Sequence, residues 1–172
     1  METKKGDFVS GVRDSIINTA IESLRTEGLK FSVDTVAARL KMSKKTIYKL
    51  FPDKEALAYA IYERYYADAL EKVRQIEKSG GNIKYLLLAV YQDALFMIRR
   101  EIFNKYKLND RIYAYVVKHQ NELWAEIMSL IAPSSSEEDE AVMRAIIEGA
   151  FEKAWEYSIP AEAVAERLVT LL

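Results

Sequence analysis

An all-α fold is predicted by three observations along the chain. Apolar residues recur at the three- and four-residue spacing of amphipathic helices nearly everywhere, and alternating strand-like runs are absent. Serine or aspartate stands where helices would begin, and glycine or proline where they would end. The expected architecture is a three-helix module followed by a helical bundle. With 172 residues, half of them apolar and 30% charged, the chain can bury one or two cores of ordinary globular composition.

The first helix is predicted over about Gly11 to Glu27, with Val12, Ile16, Ile17, Ala20, Ile21 and Leu24 on one face and Gly28 as its stop. Ser32 then caps a helix from Val33 to about Leu40, because its hydroxyl can accept from amides of the first turn. Phe31 and Val36 have the spacing of a hydrophobic staple. Lys41 and Met42 form the link to a second short helix, capped by Ser43, stapled by Met42 and Ile47, and buried along Ile47, Leu50 and Phe51. Pro52 closes it, since proline disfavours helix at the preceding residue and has no amide to donate. Asp53 caps a long helix running to about Lys78. Two capped two-turn helices joined by a tight link are the layout of a helix-turn-helix. Either alone would be marginal in water, so both must lean on the helices around them.

Ser79, Gly80, Gly81 and Asn82 break the pattern, and the main division of the chain is expected near there. In domain terms, 1–54 is read as the helix-turn-helix module and 55–172 as the helical domain that follows, with the long helix leaving the first for the second. From Ile83 to about Phe103 the sequence is apolar almost all round, as a helix in the middle of a bundle would be. A further helix is expected from about Asp110 to Ile131. Pro133 to Ser136 and the acidic run Glu137 to Glu140 make a loop and a helix start, where acids favour the positive end of the macrodipole. The last two helices are expected over about Glu138 to Tyr157 and Pro160 to Leu172. No internal repeat is visible.

Charge is distributed more tellingly than the net value of −1 suggests. Residues 1–57 hold eleven Lys or Arg against eight acids, and 58–172 hold fourteen against eighteen. Between Arg39 and Lys54, six cations (Arg39, Lys41, Lys44, Lys45, Lys49 and Lys54) face only Asp53. Such a cluster is either a solvated face or the electrostatic footprint of a polyanion. Without a single cysteine, disulfides, thiolate metal sites and a cysteine nucleophile are excluded. Met1 to Ser10 carries charges at Glu2, Lys4, Lys5 and Asp7 and no apolar stretch of the signal-peptide kind, and no run approaches the roughly 18 apolar residues of a membrane span. A cytoplasmic protein with no membrane partner is therefore expected. Neither a cofactor nor a metal is expected, since glycine-rich phosphate loops, paired histidines and a nucleophile elbow are all missing.

The segment Val36-Ala-Ala-Arg-Leu-Lys-Met-Ser-Lys-Lys-Thr-Ile-Tyr-Lys-Leu-Phe-Pro-Asp-Lys-Glu-Ala-Leu57 resembles the signature of the TetR family of transcriptional regulators. In that signature a capped recognition helix of the form S-x-x-T-[LI]-Y-x-x-F runs into P-[SD]-K-E-x-L. The matching residues are Ser43, Thr46, Ile47, Tyr48, Phe51, Pro52, Asp53, Lys54, Glu55 and Leu57. The resemblance implies a DNA-binding regulator, and in the usual case a ligand-responsive repressor. It further implies a homodimer on double-stranded palindromic operator DNA, with a small-molecule effector held by the C-terminal domain. The chain departs from the family where Lys41 replaces a common turn glycine, where Lys45 replaces a frequent glycine or proline, and where Leu50 replaces a common polar phosphate contact.

The residues make chemical sense by themselves. With Ile47, Leu50 and Phe51 turned inward, Lys45, Tyr48 and Lys49 point outward, flanked by Lys44 and Thr46. Lysines neutralise phosphates or donate to guanine O6 and N7, while Tyr48 and Thr46 offer hydroxyls to phosphate and a ring or methyl to thymine. Lys54, in the first turn of the next helix, can hold a phosphate together with the backbone amides there. In the resemblance, Tyr48 and Lys54 are backbone clamps. Ser32, Thr35 and Ser43 complete the expected DNA-binding set, the two serines acting as caps first. The plain alternative is that Tyr48 packs on the long helix and Lys54 is merely solvated.

For the remainder, the resemblance implies dimerisation through the last two helices. Val142, Ile146, Gly149 and Lys153 lie on one side and Met143, Ile147, Phe151 and Ala154 on another, so one side can meet a partner; Val164 and Leu168 extend that interface. An effector pocket is expected among Tyr91, Met97, Tyr113, Tyr115, His119, Trp124 and Trp155, although aromatics at helical spacing also build plain cores. A dimeric helical adaptor of the same fold, with no regulatory role, is the competing function, and the two part on whether one palindrome is selected from genomic DNA. An enzyme is disfavoured, because one histidine and no cysteine leave only carboxylates and tyrosines for acid-base work.

Overall fold

The computed structural model describes residues 3–27, 32–88 and 110–171, and every regular element among them is helical. In chain order these are α1 (Thr3–Glu27), α2 (Val33–Arg39), α3 (Lys44–Leu50), α4 (Lys54–Lys78), a helical stretch at 83–88, α5 (Asp110–Ile131), α6 (Glu137–Glu156) and α7 (Ala161–Val169). The all-α expectation holds, and α5 has the predicted bounds. The first helix starts eight residues earlier than expected, at Thr3 rather than Gly11. Once the buried part of a helix has met the cost of nucleation, each added residue is nearly free, so flanking polar residues can continue it.

The chain divides into two compact units: described residues 3–27, 32–65 and 110–114 form one, and 66–88 with 115–171 the other. The first unit is built on the apolar face of α1, where Ile16, Ile17, Ala20, Ile21 and Leu24 are buried as their spacing predicts. Helix α1 packs on α2, and α2 on α3. Val36 and Ala37 from α2, Ile47 from α3, Phe51, and Leu57, Ala60 and Ile61 from α4 are buried in the same unit. Polar ties reinforce the packing of α1 against α4, because Arg64 donates to Asp14 Oδ1 at 2.6 Å and to Asn18 Oδ1 at 3.2 Å. The Arg13 guanidinium lies 5.3 Å from the centre of the Phe51 ring, a cation–π contact at the end of α3.

The link between α2 and α3 is a Schellman turn. The Lys41 amide donates to Ala38 O at 3.1 Å and the Met42 amide to Ala37 O at 3.0 Å, which satisfies carbonyls that the end of α2 would otherwise orphan. Lys41 therefore sits at φ 51°, the left-handed region that glycine adopts without penalty. Replacing Lys41 with glycine is expected to stabilise the protein by about 0.5–1 kcal/mol, the relief of left-handed strain less the extra freedom glycine gains in the unfolded chain. Thermal unfolding of Lys41→Gly beside Lys41→Ala, which removes the charge but keeps the strain, checks this. A melting point no higher for glycine than for alanine would sink it.

In the second unit, α6 packs on α7. Its buried residues include Val73, Leu86, Leu87, Val116, Leu123, Trp124, Ile127, Ile147, Phe151, Ala165 and Leu168. Helix α4 ends in a glycine Schellman turn, with Gly80 at φ 107° and the Gly81 amide donating to Ile76 O at 2.9 Å. The start of α6 is closed by a capping box one residue ahead of the expected start. Ser136 Oγ accepts from the Asp139 amide at 3.1 Å, while Asp139 Oδ2 accepts in return from the Ser136 amide at 3.4 Å and from its hydroxyl at 2.7 Å. Lys84 is ion-paired with Glu166 of α7.

Candidate nucleic-acid interface

The surface singled out by the sequence is carried by α2, α3 and the first turn of α4. Both short helices begin with the caps predicted for them. Ser32 Oγ accepts from the Thr35 amide at 3.2 Å and Ser43 Oγ from the Thr46 amide at 3.1 Å, with extended backbone at each serine. The hydroxyl pairs Ser32–Thr35, at 3.0 Å, and Ser43–Thr46, at 2.9 Å, are also hydrogen-bonded. Those four hydroxyls are therefore already engaged in fixing helix starts, and each would have to offer a phosphate its remaining hydrogen-bonding capacity.

Helix α3 is anchored on one side only. Ile47 is fully buried and Phe51, its C-cap, nearly so; Leu50 is half-buried. Lys44, Lys45, Tyr48 and Lys49 are exposed, and Thr46 is half-buried beside Ser43. A seven-residue helix thus presents three lysines and a tyrosine to solvent from a rigid apolar footing. Lys54, the first residue of α4, is exposed as well. Its helix start is capped by Asp53, whose Oδ1 accepts from the Ala56 amide at 2.7 Å. That amide is not available to a phosphate, so anion binding here falls mainly to the lysine side chain.

One contact was not legible in the sequence. Lys44 Nζ lies 2.7 Å from Asp34 Oδ1, joining the first residue of α3 to the first turn of α2. The hydrogen bond to Asp34, and then its charge, hold the Lys44 ammonium above its ordinary pKa. Along the chain Asp34 falls outside the cationic run from Arg39 to Lys54 and reads as a dipole-matching acid of a first turn. Only the fold brings it beside the first turn of α3, so the cluster counted along the chain as six cations and Asp53 gains a second acid in space.

Elsewhere the expected sites meet a mixed outcome. Of the aromatic set, Tyr91 and Met97, and the side chain of Trp155, lie outside the described residues. Tyr115 and His119 are half-buried neighbours with ring centres 4.2 Å apart, and the Tyr66 ring lies 5.9 Å from His119. His119 Nδ1 is 2.7 Å from Glu122 Oε2. Trp124 is buried and covered by the Arg144 guanidinium at 5.4 Å, which is also held by Asn121 and Glu148. Tyr113 does not join this group. It is 52% exposed and belongs to the first compact unit, because α5 changes unit after Ala114.

On α6, Val142 and Ile146 are 54% and 51% exposed, one helical turn apart, and among the described residues a Cβ built at Gly149 would meet nothing within 4 Å beyond the backbone of its own helix. Lys153 is exposed and paired with Glu156, and Val164 on α7 is half-buried. Leu168 departs from the expected interface. It is buried with Ala165 on the inner side of α7, since the i, i+3 pair shares the face that packs within its own unit.

Among the described residues no group of three or more His, Cys, Asp or Glu could hold a metal ion, and no helix is long and apolar enough to cross a membrane. Comparison with protein-family models matches residues 16–61 to the family described as bacterial regulatory proteins, tetR family. The matched span runs from the buried face of α1 through both short helices into α4. No curated protein matches the chain.

Proposed function

We propose that this chain, whose residues 16–61 match the tetR family of bacterial regulatory proteins, is a DNA-binding transcriptional regulator of that family, and more closely a cytoplasmic, ligand-responsive repressor that acts as a homodimer on a palindromic operator. The observation that carries the reading is the one-sided anchoring of α3: Ile47 and Phe51 inside, and Lys44, Lys45, Tyr48 and Lys49 outside, within the matched span. A helix so held can enter the major groove with its N-terminal residues toward base edges. Lys45 and Lys49 then meet phosphates or guanine, Tyr48 and Lys54 clamp the backbone, and Ser32, Thr35, Ser43 and Thr46 keep the helix starts in register.

A single seven-residue helix reads too few base pairs for specific affinity, so two copies related by a two-fold axis must act together. The side of α6 that exposes Val142, Ile146 and Lys153, with the half-buried Gly149, and Val164 of α7, beside it, would supply a self-complementary surface for that axis. An effector would be taken up around Tyr115 and His119, where aromatic faces surround a polar handle. It can weaken DNA binding only by preferring a conformation whose two recognition helices are no longer about 34 Å apart, the spacing of successive major grooves. Helix α4, which contributes residues to both units, is the lever in this reading.

Selection of bound fragments from genomic DNA tests the function. One palindrome should be enriched, and its affinity should fall steeply with salt through counterion release. Small molecules that release that fragment should in turn be bound less tightly when operator is present, by the same factor, because coupling between two ligands is reciprocal. Enrichment of no sequence would leave the dimeric adaptor as the better reading.

A further inference from the structure

We infer that Asp34 is a specificity-determining residue of the DNA interface, which holds the Lys44 ammonium off the phosphates and directs it to base edges. The inference rests on the DNA-binding reading above. Lys44 is the first residue of α3, the end of a recognition helix that reaches the bases. Its Nζ is tied at 2.7 Å to Asp34 Oδ1, and both side chains are more than half exposed, at 56% and 69%. Such an exposed pair contributes little to stability, so that beyond the favourable place of an acid in the first turn of α2 the effect of Asp34 falls on the lysine it holds.

The position of the acid is tightly set. The Schellman turn at Lys41 and Met42 fixes the angle between the two helices, and the Ser32 and Ser43 caps fix where each begins. An acid so placed is repelled by every phosphate whatever the sequence, which lowers affinity for DNA at large. It also ties up one of the two lysines in the first turn of α3, the base-reading end, so that this lysine adds less to counterion release. Within a groove the carboxylate can accept from cytosine N4 while the ammonium donates to guanine O6 or N7, so the pair can recognise a G·C base pair that neither could select as well alone.

Asp34→Asn keeps the size of the side chain and removes its charge. Measured on the selected operator and on random-sequence DNA across a salt series, the variant is expected to bind random DNA more tightly. Its salt slope should be steeper by about 0.9, as for one added phosphate contact. The ratio of operator to random affinity should fall on the order of tenfold, the discrimination lost with one good base contact. Adding Lys44→Gln to Asp34→Asn should return the slope to the wild-type value, since the released cation is then gone. An unchanged ratio and slope for Asp34→Asn, with the wild-type protein still selecting its operator, would overturn this inference and leave the DNA-binding reading intact. So would a wild-type slope that Lys44→Gln by itself flattens by about 0.9, because Lys44 would then already lie on a phosphate. A wild-type protein that selects no DNA removes the reading and this inference with it.

Discussion

Ile47→Ala is expected to destabilise the first unit by about 2–5 kcal/mol and to abolish operator binding under conditions where the wild-type protein is saturated. Ile47 is the one residue within the seven of α3 whose side chain is buried outright, at 0% exposure, with Phe51 following as the cap. A helix of two turns has no stability of its own, so its orientation is lent to it by that footing. Truncating the side chain removes apolar burial and leaves a cavity, and the recognition face loses its fixed angle even where the unit still folds. Denaturant unfolding and fragment binding measured on the same samples check both parts. Tyr48→Ala on the opposite face is the control: it should leave stability within about 0.5 kcal/mol while weakening DNA binding. A loss of stability below about 1 kcal/mol for Ile47→Ala would mean that α3 is held by something other than its buried stripe.

The second large effect is expected from Ile146→Glu. If two copies meet across the exposed side of α6, a carboxylate at this position would be buried without a partner, and the dimer should dissociate. Operator affinity should then fall by about 10²–10⁴, the advantage of binding the second half-site from a tethered partner. Folding of the single chain should be unaffected, since Ile146 is half exposed there. Gly149 supplies an independent probe. Among the described residues nothing outside the backbone of its own helix lies within 4 Å of an added Cβ, so Gly149→Ala should stabilise the isolated helix by about 1 kcal/mol. Weaker association in that variant would show a partner backbone approaching closely at this glycine. Light scattering that finds Ile146→Glu still dimeric would move the two-fold axis elsewhere.

The helical class, the two capped short helices, the outward face of α3 and the bounds of α5 were legible in the linear sequence. Each depends on interactions that span at most a few residues. A serine hydroxyl accepts from an amide three positions on, as Ser32 does from Thr35 and Ser43 from Thr46, and apolar residues three or four apart share a face because a helical turn holds 3.6 residues. The glycine stop after Lys78 belongs to the same local chemistry, whereas the start of α6 was marked in the sequence by its acidic run and not by the serine–aspartate box that closes it. The tetR-family match over residues 16–61 rests on this part of the chain, where local signals are densest.

Three features were decided only by tertiary structure. Asp34 is ten residues from Lys44, and nothing between them foretells that the turn at Lys41 folds one onto the other. Leu168 and Ile146 are both aliphatic residues of amphipathic helices, yet the packing of α7 on α6 buries one and leaves the other half exposed. Tyr113 and Tyr115 are two residues apart on one helix and belong to different units, because α5 passes from the first unit to the second after Ala114. Periodicity shows that a helix has an apolar side and how wide it is. Which neighbour covers that side, and which charges meet across the contact, depends on residues far apart in the chain, whose pairing is set by the packing of whole helices.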